Sequence, residues 1–461
     1  MGVSSASPAA SRSTDAIDLA DRKHAWHPFT QMKEYQANPR LHLVRGEGSW
    51  LIDTEGRRYL DGNASVWTNV HGHNDPDLNA ALEKQLHQLA HVTLLGLNHP
   101  VATELAEELA GLTNGKLPRC FFTDNGSNAV EVALKLSFQF WQLTGHPEKR
   151  GVISMSGAYH GDTFGTMSVG DNRTFHKRFT PWLFSSQIFD APRHEECGGK
   201  IKFSDATQSL QSLENILKSQ AAQIASLILE PRVQGAAGMH QQPAGFVKAV
   251  AQLCKQYDVH LILDEVFTGF GRLGSLTACA EGGVAPDFLC LAKGLAAGYL
   301  PLAATLTSEK IFEAFQGEFS EGRTFFHGHT FSGNPLGCAV ALASLKKLRP
   351  MISSGQIAER AQQLGDEIQK NFSNHPNIAS YRQYGLTGAV DFKPADAASK
   401  TWTVDMRVGY QIALAARRHG LVIRPLGDSI LFVPPISIQP SEVTHLVQAV
   451  RRAMDDVIPN L

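Results

Sequence analysis

An excess of charge of either sign is what this 461-residue chain most plainly lacks. Its 42 lysines and arginines against 44 aspartates and glutamates leave a formal net charge of −2. No basic surplus draws it to nucleic acid or to an anionic membrane, so neither is an expected partner. Cysteine is sparse: six residues, at 120, 197, 254, 279, 290 and 338, none in C-x-x-C spacing. That pattern argues against a structural zinc site and for reduced, buried thiols in a cytoplasmic protein. The first sixteen residues contain no apolar segment able to act as a secretory signal. Position 6 is Ala where a myristoylation motif needs Ser or Thr. Rich in Ser and Ala, residues 1–16 read as a disordered tail. An uninterrupted apolar span is missing too. Residues 288–307 carry a single charge, Lys293, but Gly294, Gly298 and Pro301 divide them into strand, turn and strand. Residues 123–128, between a strand and a helix, are not a G-x-G-x-x-G dinucleotide fingerprint, no Walker A sequence occurs, and there are no internal repeats.

With 43% hydrophobic and 19% charged residues, the composition is that of a soluble globular protein. The length calls for two or more domains. Residues 49–61 read as a hairpin around Glu55-Gly56. Residues 76–89 read as an amphipathic helix, with Asp75 as N-cap and Pro76 in the first turn, and 100–112 as a second. Strands at 120–123, 151–155, 224–230, 259–264, 289–293 and 302–307 then alternate with helices, among them 129–143 and 246–257. This alternation predicts an α/β fold: a large domain with a mainly parallel sheet covered by helices. After Asn334-Pro335, an apolar helix over 337–348 reads as a connector. A helix over 356–372, strands at 388–392 and 429–433 and a closing helix over 440–457 predict a smaller α+β domain. The expected division is 17–75 packing with the small domain, 76–344 as the large domain and 345–461 as the small one.

Two apolar runs each deliver one charge. Val259-His-Leu-Ile-Leu-Asp264 ends in a carboxylate, and Asp287-Phe-Leu-Cys-Leu-Ala-Lys293 ends in an ammonium beside Gly294. A pyridoxal phosphate site needs such a pair: a lysine to form a Schiff base with the aldehyde, and a carboxylate to keep the pyridine nitrogen protonated. A buried Lys–Asp ion pair has the same signature. Thr123-Asp-Asn-Gly-Ser-Asn128 lies between a strand and a helix, where Gly126 and Ser127 suit a phosphate and where a plain N-cap also fits. Gly157-Ala-Tyr-His-Gly-Asp162 follows another strand. There Tyr159 is a candidate to stack on a planar ring, and His160 reads as structural rather than as a base. Residues 324–335 hold His327 and His329, with too few companions for a metal site, and Thr330 as a hydroxyl donor to phosphate. Arg272 and Arg424 are candidates to bind a substrate carboxylate, or else ordinary ion-pair residues.

Asn125-Gly-Ser-Asn128, Gly157-Ala-Tyr-His-Gly-Asp162, Leu229-Glu-Pro231, Asp264-Glu-Val-Phe-Thr-Gly-Phe-Gly-Arg272, Ala292-Lys-Gly294 and His327-Gly-His-Thr-Phe331 occur in this order. The set resembles the class III pyridoxal-phosphate aminotransferases of fold type I, from about residue 20 onward. Trp26-His-Pro-Phe-Thr-Gln-Met32, Ser65-Val-Trp-Thr-Asn-Val-His-Gly72, Ser137-Phe-Gln-Phe-Trp141 and Arg424-Pro-Leu-Gly427 are similar to the biotin-pathway branch, which aminates 8-amino-7-oxononanoate. The resemblance implies a homodimer with shared active sites and two small-molecule substrates, an amino donor and a keto acceptor. It implies Lys293 as Schiff-base lysine and Asp264 at the pyridine nitrogen. Gly126 and Ser127 would hold the phosphate, joined by Thr330 from the neighbouring subunit, and Tyr159 would stack on the ring. Phe29, Trp67, Tyr159, Arg272, Gly328 and Arg424 would border the substrate, with Arg424 on its distal carboxylate.

Several positions depart from the best-known members, which use S-adenosylmethionine as donor. Phe29 stands for Tyr, Val66 for Trp and His329 for Pro, and Phe267 occupies a place where many class III relatives carry Gln. S-adenosylmethionine and lysine both stay open as donors. Other ω-aminotransferase substrates (diamines, β-alanine, 4-aminobutyrate), an aminomutase and a non-catalytic scaffold are the alternatives.

Overall fold

The computed structural model describes residues 13–171, 173–396 and 401–461. Seven strands form the main sheet, in the order Arg119–Thr123, Ala303–Thr307, Phe288–Leu291, His260–Asp264, Ile224–Leu229, Gly151–Met155, Gln187–Phe189. The last five run parallel to one another, as the alternation predicts. Ala303–Thr307 is antiparallel to both its neighbours, which the sequence reading did not anticipate. The physical reason is length. Residues 292–302 are too few for the crossover that a parallel return needs.

The central strands are continuously apolar because both their faces are covered. Leu261, Leu263, Leu289 and Leu291 join the core with Leu105, Leu109 and Leu345. Ile262, Phe288 and Cys290, the alternate positions, face Ala129, Val130 and Ala133. The latter belong to helix Gly126–Leu143, which starts three residues earlier than the apolar pattern suggests. Asn125 caps it, its side chain accepting from Asn128 N at 3.0 Å. Asp75 caps helix Pro76–Leu86 in the predicted way.

A second sheet has the order Pro425–Leu426, Ser429–Phe432, Thr387–Phe392, Ile378–Tyr384, Lys200–Asp205, Arg193–Cys197. Its last two strands come from the middle of the chain, inside the interval 76–344. Helices Gln356–Phe372 and Pro440–Val457 pack together beside this sheet. The hairpin Trp50–Asp53 and Arg58–Asp61 belongs to a third sheet, in which Arg58–Asp61 pairs in parallel with Leu421–Val422. Ser49 Oγ and Trp50 Nε1 both donate to Glu442, at 2.9 and 2.6 Å. The expected tail over 1–16 needs correction at its end. Thr14–His24 is helical from Ser13, whose side chain caps Ala16 N, and Asp15 suits the positive end of the helix dipole. Residues 1–12 lie outside the described residues. Among the described residues, no helix is long and apolar enough to cross a membrane.

Candidate active site

The carboxyl ends of the parallel strands converge on a cavity of about 580 Å³. Asp264 is the last residue of its strand and pairs in register with Cys290 of the next. Lys293 follows that neighbouring strand by two residues. It opens a 3₁₀ turn at φ 39°, a left-handed conformation uncommon for lysine. Its Nζ lies 5.2 Å from the Trp67 ring and 5.8 Å from the Phe267 ring. Burial pulls the ammonium below the usual lysine range, against the opposing attraction of Asp264 and Glu230.

Asp264 is held on both oxygens. Val266 N donates to Oδ1 at 3.0 Å, and His160 Nδ1 lies 2.7 Å from Oδ2. His160 therefore orients the carboxylate, consistent with its structural reading. Among the described residues its buried Nε2 has no hydrogen-bond partner. Glu230 directly follows strand Ile224–Leu229. It accepts from Tyr159 N at 3.3 Å and from Gly235 N at 3.0 Å. Burial pushes its carboxyl up to about 7. Tyr159 presents its ring to the cavity, stacks on His176 at 5.8 Å and donates its hydroxyl to Asp162 at 3.0 Å. Burial and Asp162 raise the phenol pKa.

Gly126 and Ser127 begin a helix whose first N–H groups have no intrahelical acceptor. The space around them is tight. A Cβ on Gly126 would meet Val266 Cγ1 at 2.6 Å, and one on Gly161, at φ 128°, would meet Ser127 Oγ at 2.0 Å. A backbone this bare forms a cradle able to approach an anion closely.

The opposite wall is a left-handed turn. Ala64, Ser65, Val66 and Trp67 have φ of 43°, 49°, 65° and 71°. Such residues cost roughly 1–2 kcal/mol each, so something must hold them. Asp61 does. It accepts from Asn63 N and Ser65 N, both at 3.2 Å, from Ser65 Oγ at 2.9 Å, and lies 3.0 Å from His73 Nε2. Asn63 in turn takes the Trp67 indole N–H at 3.1 Å. Phe29, edge-on to Phe175 at 5.5 Å, and Arg424 complete the wall. Burial draws the Arg424 guanidinium below its usual range.

The cavity thus gathers Phe29, Trp67, Gly126, Ser127, Tyr159, Asp264, Lys293 and Arg424. Three candidates lie elsewhere. Arg272 is fully buried and donates to the carbonyls of Leu386 at 3.2 Å and Pro434 at 2.6 Å. Arg272 thus ties the segments at Leu386 and Pro434 together and does not line this chain's own cavity. Gly328 is exposed, with Leu95 as neighbour, and Thr330 is exposed outside this chain's own cavity. Between them His329 Nδ1 lies 2.9 Å from Asp124 Oδ1. Three contributors carry no role in the sequence reading: Glu230, Phe267 and Asp61. Glu230 has the signal that marks Asp264, an apolar strand ending in a carboxylate. Among the described residues, no cluster of His, Cys, Asp and Glu could hold a metal ion.

Pyridoxal phosphate fits these residues: a bare anion cradle at Gly126 and Gly161, a carboxylate fixed by His160, and a partly buried lysine within one cavity. Fold and cavity together define a pyridoxal-phosphate-dependent transferase of fold type I. The model of the class-III aminotransferases matches residues 31–454, and the chain belongs to that family. It is 45% identical over 439 residues to the adenosylmethionine-8-amino-7-oxononanoate aminotransferase of Geobacter sulfurreducens, covering 95% of this chain and 97% of that one. The crystal structure of the like-named enzyme from Methanocaldococcus jannaschii is similar, with a TM-score of 0.90, 34% identity and coverage of 96% and 99%. An (S)-enantioselective omega-transaminase from Thermomicrobium roseum gives a TM-score of 0.88 at 34% identity, covering 96% and 98%.

Proposed function

We propose that this aminotransferase converts 8-amino-7-oxononanoate to 7,8-diaminononanoate in biotin biosynthesis, with S-adenosylmethionine or lysine as donor. The observation that carries the reading is the cavity's polarity. Lys293 and Asp264 sit at its floor and Arg424 on its wall, with apolar Phe29, Val66, Trp67 and Leu426 around them. That suits an acceptor whose keto group and distal carboxylate are joined by a methylene chain. The named relatives support the same substrate.

Pyridoxal phosphate, when bound, supplies the electron sink. Lys293 Nζ would carry the proton from the donor carbon to C4′ of the cofactor in the first half-reaction, and from there to the acceptor carbon in the second. Asp264, fixed by His160, keeps positive charge on the ring nitrogen. Gly126 and Ser127 hold the phosphate, and Arg424 pairs with the acceptor carboxylate. The chain acts as a homodimer in this reading. Thr330 is exposed beside a patch containing Leu95, Leu97, Phe326 and Phe331, and a partner subunit that covers the patch brings Thr330 to its phosphate.

A second reading is an ω-aminotransferase for diamines or ω-amino acids, favoured by the likeness to the Thermomicrobium enzyme and by Phe29, which has no hydroxyl for a polar donor. A donor–acceptor screen decides. Consumption of 8-amino-7-oxononanoate with S-adenosylmethionine or lysine supports the first reading. Amination of pyruvate from diamines, with that acid untouched, overturns it.

A further inference from the structure

The turn after Asp264 touches three parts of the site at once. Asp264 accepts from Val266 N, the Val266 side chain closes over Gly126, and Phe267 reaches the lysine. The turn is itself locked. Glu265 is buried and accepts from Ala278 N at 2.6 Å and Cys279 N at 2.7 Å, while its carbonyl takes Gly269 N at 3.1 Å. Phe267 packs in a core cluster with Val233, Met239, Leu273 and Leu431, so one edge of that core surfaces in the cavity. There it meets Trp67, ring centroids 4.6 Å apart. Gly235 backs both rings, for a Cβ on it would sit 2.9 Å from Phe267 and 3.1 Å from Trp67. Gly235 is fixed by its N–H to Glu230. Gly235 thus closes the side of both rings that it faces.

We propose that Phe267 is a positioning residue for the reaction: with Trp67 it forms a two-ring wall that keeps water off one side of Lys293 Nζ. The inference rests on Lys293 as the aldehyde-binding lysine. Ring faces attract an ammonium, but that attraction is weaker than the hydration lost on burial, so the wall favours the neutral, nucleophilic amine. The other groups around Nζ are Asp264 and Glu230, with Asp124, Tyr159, His160, Tyr299 and Arg424 on the same cavity. None of them changes when Phe267 is substituted.

The test mixes apo-protein with pyridoxal phosphate at a series of pH values and follows the rate at which the lysine adduct's absorbance appears. That rate tracks the fraction of free amine. In Phe267→Ala, water fills the vacated space, and the midpoint of the profile rises by about one pH unit toward the ordinary lysine value. Phe267→Leu, apolar and close in volume, keeps the parent midpoint. If Phe267→Ala does not fold, Phe267→Gln replaces it and moves the midpoint the same way. An unchanged midpoint in the folded variant, or an equal rise in Phe267→Leu, overturns the inference. Lys293→Ala is the separate control. Persistence of the adduct there overturns the role of Lys293 and leaves the Phe267 comparison without a base.

Discussion

His160 Nδ1 stands 2.7 Å from Asp264 Oδ2, and both side chains are buried. In the proposed function this carboxylate holds charge on a ring nitrogen, which needs its orientation fixed, and the imidazole supplies this. A charge-assisted hydrogen bond of this kind contributes about 1.5–3 kcal/mol. His160→Ala is therefore expected to weaken retention of pyridoxal phosphate about 10–100-fold, measured by fluorescence titration of the apo-protein. Unaltered affinity would show that Asp264 is held well enough by Val266 N.

Lys293→Ala is expected to remove the visible absorbance of the bound cofactor and to lower turnover by at least ~10²-fold, the least that loss of a positioned proton carrier costs. A variant with retained transamination contradicts the role given to Lys293.

Glu230 yields a pH prediction. Its carboxyl is pushed above the ordinary 4.5 to about 7 by burial. The folded protein then binds the proton more tightly than the unfolded chain does. Between pH 4.5 and 7 the slope of stability with pH is negative for this group: its penalty is absent below the unfolded value and complete above the folded one. Glu230→Gln removes that penalty. Its melting temperature relative to the parent apo-protein should rise from pH 5 to pH 8, and a parallel pair of profiles would count against the burial argument.

Arg424 lies on the cavity wall in partial isolation from water. Arg424→Ala should raise KM for a carboxylate-bearing acceptor by about 10–100-fold, as a lost charge-assisted contact does, with a smaller effect on an uncharged ketone. Equal losses for both acceptors would place the carboxylate elsewhere.

Asp61 holds the left-handed turn through Asn63, Ser65 and His73. Asp61→Ala leaves these donors unmatched and the strain of Ala64 to Trp67 unopposed. A loss of about 2–4 kcal/mol is expected in urea unfolding.

The sequence made the sheet and the cavity's charged floor readable for one reason: a charge at the end of an apolar strand is conspicuous. Asp264 and Lys293 stand out this way, and so does Glu230 once the same rule is applied to residues 224–230. Gly126 and Ser127 are legible because a glycine between strand and helix suits a close backbone approach. The left-handed turn is not legible, since Ala64-Ser-Val-Trp67 contains no glycine or asparagine to suggest positive φ. The partners of Arg272 are not legible, because the carbonyls of Leu386 and Pro434 that it binds lie more than a hundred residues further along the chain. Phe267 is invisible as a wall, because only packing shows that one face of a core residue meets Lys293.

The strand Arg58–Asp61 waits for the far end of the chain. Its parallel partner Leu421–Val422 is made only after residues 62–420, some tens of seconds later at roughly 5–20 residues per second. Until then Asp61 anchors its turn without a completed sheet beneath it. Synthesis thus makes the left-handed turn early and its sheet partner last, and a chain cut short before residue 421 carries the lysine without Arg424 on the wall of its cavity.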